Sequence, residues 1–125
     1  MILATGIDIV EISRMKDVFA RRGERFRFRV FTEDEIEYCE SRASRLESYA
    51  ARFAAKEATM KALGTGWAEG VAWRDIEVAR SESGAPLLLL RGRALERFDE
   101  IGGQKAHLSL THSRDFAIAQ VIFEG

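Results

Sequence analysis

Apolar positions at the start of the chain alternate across two faces. Ile2, Ala4, Gly6, Asp8, Val10 and Ile12 share one side of an extended backbone; Leu3, Thr5, Ile7, Ile9 and Glu11 share the other. Period two predicts a strand over residues 2–12, and mostly apolar residues on both sides predict a central one. Ser13 then reads as the N-cap of a short helix running to about Arg22, with Gly23 stopping it. Phe26, Phe28 and Val30 alternate with arginines. Thr32 predicts the N-cap of a second helix, with Glu33, Asp34 and Glu35 in a first turn where the macrodipole favours acids. The Thr32–Glu35 spacing also fits a capping box.

The strongest helical period covers about Ser44 to Leu63, closed by Gly64, Thr65 and Gly66. Leu46, Ala50, Phe53, Ala54, Glu57, Lys61 and Gly64 fall on one stripe, which reads as the buried face. Arg52, Lys56 and Thr59 project from the opposite side and read as a solvated face. Further on, Val71–Trp73 is a short extended piece. Residues 75–80 and 86–91 predict a hairpin around Ser81–Ala85, in which Pro86 opens a strand. A short helix over 94–100 ends at Gly102 and Gly103. Residues 107–111 and 116–123 predict a last hairpin. The order of elements predicts an α+β fold, an antiparallel sheet packed on one long helix, within a single domain over residues 1–125.

Composition narrows the class. At 125 residues, 46% hydrophobic and 31% charged, the chain is an ordinary globular one, able to bury a core. It has no apolar run of membrane-spanning length and no leader-like start, so no membrane partner is expected. Its one cysteine, Cys39, forms neither an internal disulfide nor a metal-binding pair, which predicts a reducing compartment, the cytoplasm. The net charge of −1 hides an asymmetry. Between Arg14 and Arg29, seven basic residues face Asp17 and Glu24, a local balance of +5 against −6 for the rest. So small a patch on a slightly acidic chain disfavours a nucleic-acid partner.

Chemistry enters with two carboxylates on apolar faces. Asp8 stands in the first strand and Glu57 on the helix stripe, with Lys61 one turn on and placed to pair with Glu57. An unpaired carboxylate there is costly. Two such groups and a lysine are the parts needed to hold a divalent cation against phosphates. Each signal has a plainer explanation: a satisfied strand aspartate, a helix-stabilising i, i+4 pair of ~0.3 kcal/mol, a C-capping glycine. Their combination and order carry the reading.

The stretch Gly6-Ile7-Asp8-Ile9-Val10-Glu11-Ile12-Ser13-Arg14 resembles the N-terminal signature of the small 4′-phosphopantetheinyl transferases, the holo-acyl-carrier-protein synthases. Residues 52–66, beginning Arg52-Phe53-Ala54-Ala55-Lys56-Glu57 and running through Lys61 to Gly66, are similar to that family's most specific motif. Ser83-Gly84-Ala85-Pro86 resembles its Gly-x-Pro turn, and Leu108–His112 its C-terminal strand. Ala85 departs from the pattern, where lysine is common, which implies one nucleotide contact fewer and unchanged chemistry.

The resemblance implies a reaction and its parts. The phosphopantetheine arm of coenzyme A passes to a serine of apo-acyl carrier protein and 3′,5′-ADP is released, activating the carrier for fatty acid synthesis. Asp8, Glu57 and Lys61 are then catalytic, with Asp8 and Glu57 holding magnesium or, in its place, manganese. Arg52, Lys61, Gly64, Thr65, Gly84, Pro86, Thr111 and His112 are expected to bind coenzyme A. Arg14, Met15, Arg21 and Arg22 are expected to dock the acidic carrier protein. A homotrimer with active sites between subunits is implied as well. Two alternatives stay open: a magnesium-dependent phosphoanhydride hydrolase using the same site, and a non-catalytic carrier-binding module.

Overall fold

A computed structural model describes residues 1–65 and 70–125; Gly66, the last residue of the expected helix stop, lies outside them. The order is β1 (Ile2–Glu11), α1 (Ile12–Val30), α2 (Glu33–Glu40), α3 (Arg45–Leu63), a 3-10 turn (Trp73–Asp75), β2 (Ile76–Arg80), β3 (Pro86–Leu90), α4 (Gly92–Glu100), β4 (Lys105–His112) and β5 (Phe116–Glu124). The α+β architecture is the expected one. An antiparallel sheet of order β1-β5-β4 carries α3 across β1 and β5, and β2 and β3 form a separate antiparallel hairpin. Among the described residues, no helix is long and apolar enough to cross a membrane.

Several expectations change. β1 is an edge strand, not a central one; β5 takes the centre. The outward side of β1 is apolar all the same, and Ile7 and Ile9 stay 59% and 57% exposed. Ser13 does not cap α1; Glu11 occupies the N-cap position without a side-chain bond. Gly23 does break the helix, at φ 53° and ψ −132°, but helical geometry resumes beyond it and runs to Val30. Left-handed φ at that break suits glycine. Trp73 lies in the 3-10 turn, not an extended piece.

The capping box forms as the spacing predicts: the Glu35 amide donates to Thr32 Oγ1 at 3.2 Å, and the Thr32 amide donates to Glu35 Oε1 at 2.9 Å. Helix α3 departs most from its amphipathic reading. Arg52, Lys56 and Thr59, assigned to solvent, are 4%, 0% and 0% exposed, whereas Lys61 stands in solvent. The reason is position. The sheet covers one side of α3, and α1, α2 and β2 cover the others. The alanines at 50, 51, 54, 55, 58 and 62 let those neighbours come close. The buried Lys56 ammonium meets Glu35 at 2.8 Å and donates to the Trp73 and Ile76 carbonyls. Glu35 also accepts from the Val78 amide at 2.9 Å. One buried ion pair thus ties α3 to α2 and β2, with hydrogen bonds offsetting its desolvation.

Candidate functional site

Gly6 decides how close the first strand comes to the central helix. A β-carbon there would stand 1.9 Å from the Ala58 backbone oxygen, so β1 packs on α3 backbone against backbone. Asp8 is two residues further along and shares the helix-facing side with Gly6. It therefore reaches α3 beside Glu57 and Lys61. The Lys61 ammonium donates to Asp8 Oδ1 and to the Ile7 carbonyl, each at 3.0 Å. The ammonium was expected to pair with Glu57; its direct partner is Asp8 instead.

Glu57 is left as the odd carboxylate. Partial burial, and then the neighbouring Asp8 charge, push its carboxyl above the ordinary range; Lys61 and Arg14 pull the other way and do not win. Two carboxylates share one ammonium here. Together with Ile9, Val10, Arg14, Met15 and Phe53 they line a cleft of about 330 Å³. No group of three or more His, Cys, Asp or Glu placed to hold a metal exists among the described residues. Magnesium takes one or two carboxylates, with waters and substrate phosphates completing its shell. The surplus negative charge at Glu57 is the feature a cation would relieve, so the donor set fits the ion.

The other expected residues fall into separate groups. Gly64 ends α3 at φ 72°, and the buried Thr65 hydroxyl has no partner among the described residues. The Arg97 guanidinium donates to the Leu63 carbonyl at 3.0 Å, steadying that helix end from α4. Arg52 and Pro86 line a second cavity of about 270 Å³ with Arg80 and residues 108–110 of β4. Gly84 sits in the exposed turn beside it at φ 88°. Thr111 and His112 are exposed on β4, and β5 separates them from β1. Two strand spacings, roughly 10 Å, thus divide them from the Asp8 strand within one chain.

On α1, Arg14, Arg21 and Arg22 are exposed, and Arg14 stands at the mouth of the Asp8 cleft. Met15 differs from its expected docking role: it is 3% exposed and packs in the core under the cleft. The exposed large apolar residue of this helix is Phe28, at 50%. Sequence reasoning missed Arg80 and the Lys56–Glu35 pair. Both depend on contacts between elements distant along the chain, and no local period reports them.

Comparison with known proteins gives a concordant result. The family model described as the 4′-phosphopantetheinyl transferase superfamily matches residues 4–121. A holo-[acyl-carrier-protein] synthase of Koribacter versatilis is 50% identical, over 99% of each chain. A second, from Solibacter usitatus, is 47% identical over the same shares. The crystal structure of the Neisseria meningitidis holo-[acyl-carrier-protein] synthase superposes with a TM-score of 0.90 at 32% identity, covering 100% of both chains. That of the Helicobacter pylori protein in complex with coenzyme A superposes at 0.84 and 34% identity, covering 96% of this chain and 99% of that one.

Proposed function

The chain belongs to the 4′-phosphopantetheinyl transferase superfamily, and we propose that its Asp8–Glu57–Lys61 cleft is where the reaction takes place. The phosphopantetheine arm of coenzyme A is transferred to a serine of apo-acyl carrier protein, which readies the carrier for fatty acid synthesis. The serine Oγ–phosphorus bond forms as the bridging oxygen–phosphorus bond of the pyrophosphate breaks, and 3′,5′-ADP leaves. The observation that supports the assignment is the meeting of strand and helix in one cleft: Lys61 donates to Asp8 at 3.0 Å, and Glu57 lines the same cleft beside Asp8.

Each residue then has a task. The serine proton passes to one of the two cleft carboxylates, directly or through a water between them and the hydroxyl. Lys61, half in solvent and held by Asp8 and the Ile7 carbonyl, offers positive charge to the departing phosphate. When magnesium, or manganese in its place, is held by Asp8 and Glu57, it supplies neutralisation of the pyrophosphate oxygens. Arg52, Gly64, Thr65, Gly84 and Pro86 bind the remainder of coenzyme A. Arg14, Arg21 and Arg22 meet the acidic carrier protein.

The separation of Thr111 and His112 from Asp8 supports a homotrimer with sites shared between subunits. Exposed Ile7, Ile9 and Phe116, with Ile118 and Ile122 beside them, give the sheet an apolar outer face suited to such contact. Residence in the cytoplasm fits the lone thiol of Cys39, which burial pushes up to about 12 and keeps unreactive. The test is to incubate the protein with coenzyme A, magnesium and apo-acyl carrier protein and to weigh the carrier. A gain of one phosphopantetheine is expected. Consumption of coenzyme A with no gain in carrier mass would point to a hydrolase instead.

A further inference from the structure

The last turn of α3 is electrostatically a poor place for an anion. A helix ends in unpaired carbonyls that together carry roughly half a negative charge. Yet Lys61, Gly64 and Thr65, assigned above to the donor, all belong to this end. Asp8 and Glu57 in the adjoining cleft add two carboxylates. A pyrophosphate arriving here meets like charge from the strand, the helix and the helix end. Lys61 already serves Asp8 at 3.0 Å. Even with a divalent ion on the carboxylates, the helix end keeps its own charge.

Arg97 reaches from α4 across that end. Its Nε donates to the Leu63 carbonyl at 3.0 Å, and its Nη2 lies 3.9 Å from where a Gly64 β-carbon would stand. Its Nη1 is 3.6 Å from Glu100, a carboxylate that Arg93 also holds. Two guanidinium groups thus share one carboxylate, which leaves a net positive charge facing α3. The Arg97 side chain is 32% exposed, so solvent screens it only in part. The bonds of the turn itself are shared or long. The Gly64 amide divides between the Met60 and Lys61 carbonyls at 3.0 and 3.1 Å, and the Thr65 amide reaches Met60 at 3.3 Å.

We propose that Arg97 is a positioning residue for the pyrophosphate of the donor: it pins the final turn of α3 through the Leu63 carbonyl and offsets the negative end of that helix, so that an anion can settle beside Lys61 and Gly64. This rests on the reading of coenzyme A as the donor. No bond from Arg97 to the ligand is required. Its effect passes through the helix end, and so follows the charge of the side chain more than its shape.

A charge series at this position separates the two. Arg97→Lys keeps the cation, whereas Arg97→Gln and Arg97→Glu have nearly the same shape and differ in charge. Coenzyme A affinity is read by calorimetry in magnesium buffer on each folded variant. Arg97→Lys should stay within about twofold of wild type, a rescue that a purely geometric clip would not give. Arg97→Gln should weaken binding about fivefold, as for one cation at a helix terminus, and Arg97→Glu by a further step of similar size. Raising the salt concentration should narrow both gaps. Equal weakening in Arg97→Gln and Arg97→Glu, unchanged by salt, would make Arg97 a structural clip and overturn the proposal. Affinity indifferent to all three substitutions would overturn it too. Carrier mass gain with wild-type protein, followed in parallel, keeps the two readings apart. Affinity ordered by charge without transfer leaves the role of Arg97 standing and sinks the transferase assignment; transfer with affinity indifferent to the series does the reverse.

Discussion

Gly6 and Ala58 meet backbone to backbone, with the Ala58 oxygen 1.9 Å from where a Gly6 β-carbon would be. This contact sets the height of Asp8 over α3. Gly6→Ala must push β1 away from the helix, an overpacking change of about 1–3 kcal/mol. Urea denaturation should show that loss. Activity per folded molecule should fall further, since a shift of about 1 Å in a reacting group can cost on the order of a hundredfold.

Lys61 and Asp8 form a half-exposed ion pair, which is worth only about 0–1 kcal/mol to stability. Its value to transfer is expected to be much larger, because charge on the leaving phosphate grows in the transition state. Lys61→Ala should lower kcat more than it raises the KM for coenzyme A. Lys61→Met should melt close to wild type and still lose turnover. Retained turnover with a lowered Tm would reduce Lys61 to a structural partner of Asp8.

Glu57 is expected to couple stability to pH and, through the proposed metal site, to divalent cations. Its raised folded-state pKa, caused first by burial and then by Asp8, means that the folded protein holds this proton more tightly than the unfolded chain. Stability is therefore lost as pH rises from the ordinary carboxylate range through the raised value, and the loss persists above it. In chelator at pH 7, Glu57→Gln should melt higher than wild type, and the gap should close once both states are protonated. Added magnesium should raise the Tm of wild type and not of the variant. Transfer should be abolished in Glu57→Gln and in Asp8→Ala, both folded.

Lys56 and Glu35 form a buried pair with both side chains at 0% exposure. Removing one partner strands the other charge, so Lys56→Met or Glu35→Gln should cost about 3–5 kcal/mol. The double variant Lys56→Met/Glu35→Leu should recover much of that loss. Chemical denaturation of all three reads the coupling directly.

Arg14 stands exposed where the cleft opens toward the basic side of α1. Arg14→Ala should raise the KM for carrier protein and leave that for coenzyme A nearly unchanged. Wild-type activity should fall as ionic strength rises, because exposed charges are screened beyond about 8–10 Å. Equal loss for both substrates would assign Arg14 to the nucleotide site.

Local pattern determined a good deal of this protein. Period two marked β1, hairpin segments marked β2 to β5, period 3.6 marked α3, and the Thr32–Glu35 capping box and the left-handed Gly64 stop appeared where their residues predict. Asp8, Glu57 and Lys61 were legible because a carboxylate on an apolar face is rare without a reason. What tertiary structure decided is which groups meet. Lys61 turned from Glu57 to Asp8 because a strand arrives over the helix through Gly6. Lys56 and Arg52 went from solvent to core because α3 is covered on several sides, and a helical period of apolar residues reveals only the contrast between two faces. β1 became an edge because pairing order belongs to the sheet and not to the strand. Periodicity is a property of neighbours along the chain, whereas a site is made by neighbours in space, and only the packed structure converts one into the other.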